Sequence, residues 1–248
     1  MSNETNLTQN SFQEPKHILL NFMSIFPVQY GRLEKSRRLE EYKVSLARTL
    51  QLIDLNKWCL ILCENTFNGS EEMLKDLLGI RVDAIKVAQL NFNSGSTNKG
   101  IGELDMAAKA LVVFQELIDK ASTVSYFTGR HIISNELVFE KTETLINDTL
   151  ISNPNFFYLN GSTRESEKKG LYNDMFFSMK TAVFKAYVNE FNAKRSRLIS
   201  KNVGSEQYLY SFINEHRLSF SWINNLGLIR RDKTKKFFIF SRSTLHIC

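Results

Sequence analysis

Four short polar clusters carry the residues of this chain whose types and spacing could do chemistry. Glu64-Asn65-Thr66 follows the apolar run WCLILC at once. The stretch NSGSTNKGIGE, residues 93–103, follows a run ending at Leu90 and supplies Asn98, Lys99, Gly100, Gly102 and Glu103. Thr128-Gly129-Arg130-His131 closes a third apolar run, and Asp174 is the lone charge in YNDMFFSM. A carboxylate taken out of water among apolar neighbours holds its proton more tightly and becomes a stronger base. A guanidinium offers a fixed charge and a two-pronged donor that suits phosphate oxygens. Each cluster also has a plainer reading: a capped surface helix behind a loop, a strand-end salt bridge for Arg130, and a turn-capping carboxylate for Asp174.

Several chemistries drop out. Lys99 precedes Gly100 and Ile101 follows, so the Gly-Lys-Ser/Thr order of a phosphate-binding P-loop is missing. Cys59 and Cys63 share one apolar run, with no Cys or His pair nearby to complete a zinc site, and Cys248 is the last residue. They read as buried free thiols of a reducing compartment. His131 and His216 are single histidines that suit core or surface roles.

The elements that must position these residues follow from periodicity. Residues 87–130 run as strand, small-residue loop, helix and strand, the order of a βαβ unit. Asn98 or Thr97 can cap the helix, Gly100 and Gly102 permit close approach of the backbone to a ligand, and Glu103 and Asp105 fall in the expected first turn. Ala107, Leu111, Phe114, Leu117 and Ile118 recur at helical spacing as a sheet-facing stripe. Upstream, the pattern predicts strands over 17–26, 58–63 and 83–90, with helices over 32–55 and 70–78, the latter capped by Ser70. Downstream it predicts helices over 136–151, 181–197 and 205–215, and strands over 155–159, 171–180 and 237–241. In open α/β sheets ligands bind outside the carboxyl ends of the strands, so the loops after Cys63, Leu90 and Phe127 are expected along one cleft. The expectation is one α/β domain, a mixed sheet flanked by helices and largely complete before residue 180. A disordered leader spans 1–15, the main domain 16–200, and a helix and hairpin over 201–248 pack on that domain.

Composition agrees with a folded domain, since 43% of the 248 residues are hydrophobic and 19 are Phe. No run reaches the ~18 apolar residues of a spanning helix, and the polar start lacks the pattern of a signal peptide. The protein is therefore expected in the cytoplasm, with peripheral contact at the inner face of the membrane allowed. A net charge of +6 suggests an anionic partner. The positive residues gather at 32–38, 194–201 and 230–236, but charge runs are ordinarily solvated faces. No zinc finger or RNA-binding signature is present, which argues against nucleic acid as the partner.

Taken in order, Glu64-Asn65-Thr66, Asn98-Lys99-Gly100-Ile101-Gly102-Glu103, Thr128-Gly129-Arg130 and Asn173-Asp174-Met175-Phe176-Phe177 resemble a group of bacterial glycosyltransferases with a GT-A-like fold. These are encoded with capsule and lipopolysaccharide O-antigen assembly, and the resemblance runs from about residue 18 to 241. It implies a nucleotide-sugar donor, a lipid-linked or oligosaccharide acceptor, and a donor site drawn from Glu64, Asn65, Asn98, Lys99, Gly100, Gly102 and Arg130. The chain departs from most GT-A enzymes in having no Asp-x-Asp, the motif that holds a divalent metal against the diphosphate. Thr128-Gly129-Arg130-His131 stands at that place. The resemblance and this departure together imply metal-independent stabilisation of the leaving group by Arg130, with Lys99 in support, and no cofactor. Inverting transfer needs one carboxylate to take the acceptor's proton. Asp174 is the first choice and Glu103 the second.

Two other classes stay open at this level. A nucleotidyl- or sugar-phosphate transferase would use the same βαβ unit, although that class ordinarily needs acidic pairs for metal. A basic module binding nucleic acid or a membrane surface would show salt-dependent affinity for DNA and none for nucleotide sugars.

Overall fold

The computed structural model describes residues 15–27, 32–80, 85–90, 98–152, 172–223, 228–231, 237–240 and 245–247. The first half runs β1 (His17–Met23), α1 (Arg32–Leu52), β2 (Trp58–Glu64), α2 (Glu71–Leu78), β3 (Lys86–Gln89), α3 (Lys99–Val113), α4 (Gln115–Lys120) and β4 (Thr123–Thr128). Then come β5 (Ile132–Ile133), α5 (Leu137–Glu143), β6 (Thr149–Ser152), β7 (Asn173–Lys180), α6 (Thr181–Ser200) and α7 (Ser205–Glu215). The last strands are β8 (Phe220–Ile223), β9 (Leu228–Arg231), β10 (Phe237–Phe240) and β11 (Leu245–Ile247).

Seven strands form the central sheet in the order β3-β2-β1-β4-β7-β6-β8. The first four of these are mutually parallel, β7 lies antiparallel between β4 and β6, and β8 is parallel to β6. All seven residues of β1 and of β2 are buried, as parallel strands covered on both faces must be. Alternate side chains feed two cores. Ile18, Leu20 and Phe22 pack with α3, α4, α6 and α7, whereas Leu19 and Met23 pack with α1, α2 and α5. The chain steps outward from β1 to β3, and α3 carries it back to β4 on the other side of β1. The strand order thus reverses between β1 and β4, where α/β sheets open a crevice for ligands.

Most of the expected elements are found, with four differences. Residues 136–151 do not form one helix: α5 ends at Thr144, a turn follows, and β6 pairs with β7. Asp148 fixes that turn by accepting bonds from Ser219 N (3.0 Å) and Oγ (2.7 Å). The long helix after the glycine loop breaks at Phe114 into α3 and α4. The sheet is largely complete by residue 180 as expected, but an unexpected edge strand, β8, joins it afterwards. The strand at 237–240 belongs to a second sheet, ordered β11-β10-β9-β5. The strand expected over 155–159, most of the leader and loop 91–97 lie outside the described residues. Cys59 and Cys63 are buried free thiols. Among the described residues no helix is long and apolar enough to cross a membrane.

Candidate active site

The first turn of α3 is held in place by its own cap. The Asn98 side chain accepts from Ile101 N–H at 3.2 Å and donates to Asn202 Oδ1 (3.2 Å) and Val203 O (3.3 Å), tying α3 to the loop before α7. Gly102 is buried in the same turn and donates its N–H to Asn98 O at 3.1 Å. At Gly100 a β-carbon would run into the backbone nitrogen and Oγ of Ser205, so glycine lets the first turns of α3 and α7 touch. The close approach expected there with a ligand is made instead with the protein's own helix. Because α3 starts at Lys99, Glu103 and Asp105 fall in its second turn and point inward. Asp105 binds Arg195 by both oxygens, at 2.7 and 2.8 Å.

Glu103 faces a cavity of about 400 Å³ with Lys99, Asp174, Ser205 and Glu206. Its oxygens are claimed by Lys99 Nζ at 3.0 Å and by Tyr126 OH at 3.0 Å. Asp174 enters from the start of β7, where the pairing with β6 slips between Ile151 and Ser152. Met175 and Phe176 both pack on the α1 side, while Phe177 packs on the α3 side. Irregular pairing of this kind turns a side chain away from strict alternation. Asp174 accordingly reaches Ser205 Oγ, which donates to its Oδ2.

Burial pushes the Asp174 carboxyl up from its ordinary 3.8 to about 7, and the Glu103 charge adds to the rise while the Lys99 ammonium opposes it. Desolvation likewise raises Glu206, and the Glu103 charge raises Lys99. An acid–base group acts best when its pKa lies near the working pH, and Asp174 meets that condition.

The other sequence-chosen residues lie along the same sheet edge but are occupied. Glu64 is fully buried and accepts from Ile25 N–H (3.0 Å) and Thr66 N–H (3.0 Å), stapling the loop after β1 to the end of β2. Asn65 accepts from Ser24 Oγ at 2.7 Å. Arg130 Nε bonds Glu41 Oε2 of α1 at 3.1 Å, the strand-end salt bridge of its plainer reading. Arg37 stands 3.5 Å from the other Glu41 oxygen, and Arg38 Nε donates to Ser24 O at 3.0 Å. Asn21 Oδ1, buried beside Gly129, has no hydrogen-bond partner among the described residues. The histidines take the core and surface roles expected of them: His131 is buried with Nδ1 3.3 Å from Thr128 Oγ1, and His216 is exposed with Nε2 2.6 Å from Glu190. Within the basic run 194–201, Lys194 pairs with Glu190 (2.8 Å) and Glu215 (3.0 Å) and Arg195 with Asp105, leaving Arg197 and Lys201 without an ion pair among the described residues.

The sequence had singled out Lys99, Gly100, Glu103 and Asp174, and the fold brings these four together. It had missed Tyr126, Ser205 and Glu206, and had read the arginines of α1, within the basic run 32–38, as a solvated face. Of the three missed, only Ser205 carried a signal, as the first residue of an expected helix. Among the described residues no group of three His, Cys, Asp or Glu side chains is arranged to hold a metal ion.

No protein-family model matches the sequence, and no curated protein matches it. Solved structures do. A crystal structure from Desulfovibrio desulfuricans G20, of a protein assigned provisionally as a nucleotide-diphospho-sugar transferase, matches with a TM-score of 0.50. Its identity is 14%, over 84% of this chain and 80% of that one. The apo form of mouse xyloside xylosyltransferase 1 matches over 85% of each chain, at 12% identity and a TM-score of 0.47, too low to carry weight. At such identities the likeness is one of architecture: the chain has the α/β, GT-A-like fold expected from its sequence.

Proposed function

We propose that this protein is a glycosyltransferase that moves a sugar from a nucleotide-sugar donor to a hydroxyl of a capsule or O-antigen acceptor, with inversion and without a metal ion. The observation that carries the reading is Asp174, a buried carboxyl raised to about 7 that opens into a cavity at the carboxyl edge of a GT-A-like sheet. In the proposed step the acceptor hydroxyl gives its proton to Asp174 as its oxygen bonds to the anomeric carbon. The bond from that carbon to the diphosphate breaks, and its electron pair leaves on the nucleoside diphosphate. Arg130, whose Nε alone is bonded to Glu41, presents its terminal nitrogens to the departing phosphate. Glu103, fixed by Tyr126 and Lys99, holds a sugar hydroxyl and keeps Asp174 basic. Independence of metal rests on the missing Asp-x-Asp and on Arg130. Contact with an anionic bilayer would rest on Arg197 and Lys201 of the run 194–201 and on the run 230–236, most of which lies outside the described residues.

Thermal shift with a panel of nucleotide sugars, with and without EDTA, tests this. A ligand at a hundred times its Kd stabilises the folded state by about 2.7 kcal/mol. The expected result is a raised Tm with one donor, unchanged by EDTA. No shift with any nucleotide sugar contradicts the transferase reading, and a shift abolished by EDTA contradicts the metal-free one.

A further inference from the structure

The edge of the sheet sorts its charges, and the sorting bears on what the cavity accepts. Arg37, Arg38 and Arg130 gather at the ends of β1 and β4, whereas the α3–α7 cavity presents, among the described residues, three carboxylates, Glu103, Asp174 and Glu206, and one cation, Lys99. Lys99 is already spent on Glu103 at 3.0 Å. The amino end of α7 adds roughly half a positive charge, which leaves the cavity acidic. Asp174 is only 6% exposed and lines the cavity, and among the described residues Ser205 Oγ, donating to Oδ2, is the hydrogen-bond partner of its carboxyl. Glu206 stands exposed at the rim and forms no ion pair among the described residues, with Lys99 acting on it only through space.

We infer that this cavity takes a sugar that is uncharged or carries an amino group, turns away sugars bearing carboxylate or phosphate, and owes that choice to Glu206. The inference rests on the transferase reading of the same cavity and names the class of its acceptor. The physical cause is twofold. Hydroxyl and ammonium groups donate to the cavity's carboxylate oxygens, while an anion meets like charge in a partly desolvated space. The diphosphate of the donor is left to the arginine side, where the charge has the right sign.

The test uses the full ¹⁵N-labelled chain and three probes of nearly equal shape: glucosamine, glucose and glucuronate. Amide shifts of Gly100, Gly204 and Ser205 report occupancy. The expected affinity order is glucosamine, then glucose, then glucuronate, with about tenfold or more between the first and last. Glu206→Gln should narrow that gap by about threefold, the effect of one partly screened charge, and Glu206→Lys should close it. Glu206 is exposed, so both variants should keep the wild-type spectrum elsewhere. Glucuronate binding as tightly as glucosamine overturns the inference, as does an order untouched by Glu206→Lys or the absence of any shift with all three probes. Nucleotide-sugar binding is read by thermal shift on the same samples. Charge selection without nucleotide binding leaves the cavity's choice of sugar standing, while the transferase reading, and with it the acceptor role, falls.

Discussion

The arginine-lined end of β1 and β4, on the α1 face, and the carboxylate cavity at β7, on the α3 face, share one edge of the sheet, yet they supply their buried carboxyls differently. Glu64 is buried and raised by desolvation, but Ile25 and Thr66 donate to both of its oxygens and favour the ionised form. Glu41 bonds Arg130 through Oε2, while its Oε1 and Arg37 Nε stand 3.5 Å apart as an ion pair with no hydrogen bond among the described residues. In the cavity, Asp174 has one hydroxyl donor and a neighbouring carboxylate that repels it. A buried charge whose partners are supplied stiffens the scaffold. One left short of partners keeps a perturbed pKa, and such groups cluster where chemistry is done.

The sharpest way to break this contrast is Asp174→Asn. Turnover should fall by about 10²–10⁴-fold, the usual worth of a general base, in an assay of sugar transfer. The same change should stabilise the fold. Asp174 binds its proton more tightly when folded, so its contribution declines as pH rises from its ordinary 3.8 through about 7. Above that window the cost of holding the ionised form is fully present, and Asn should recover about 2–4 kcal/mol of it at pH 8. A Tm that falls at pH 8 would make Asp174 one more scaffold carboxylate.

Glu64→Ala should do the reverse. It strands buried donors of Ile25 and Thr66, so denaturant unfolding should show a loss of about 2–4 kcal/mol. Any turnover that survives should keep its pH profile. A changed profile with unchanged stability would move Glu64 into the reacting machinery. The smallest effect is expected at Gly100→Ala. The new methyl group presses on Ser205 and should cost about 1–3 kcal/mol, while loosening the Ser205 contact with Asp174. Gly100→Ala at full stability would mean that α3 and α7 do not touch as described.

The sequence carried the parallel strands plainly, because strands covered on both faces are continuous apolar runs with polar residues at their carboxyl ends. Asp174 stood out for the same reason, as one charge in such a run. The stretch 136–151 was misread because a short apolar segment such as Thr149-Leu150-Ile151 fits a helix or a strand equally, and its partner β7 decides the matter. The partners of the site residues were not legible at all. Ser205 reaches Asp174 across 31 residues and Arg130 reaches Glu41 across 89, and no local pattern encodes such pairs. Gly100 shows the same limit, since its smallness was visible but the helix it accommodates was not.

The most direct test of the account is the titration of Asp174 itself, read from its ¹³C side-chain carboxyl shift in the ligand-free protein, with Glu103→Gln as the partner measurement. The account predicts a midpoint near 7 in the wild type. It predicts a lower midpoint in Glu103→Gln, where the repelling charge is gone and Lys99 is released to favour the carboxylate. A midpoint in the ordinary carboxylate range near 4, or one indifferent to Glu103, would contradict the claim that this cavity holds a poised base.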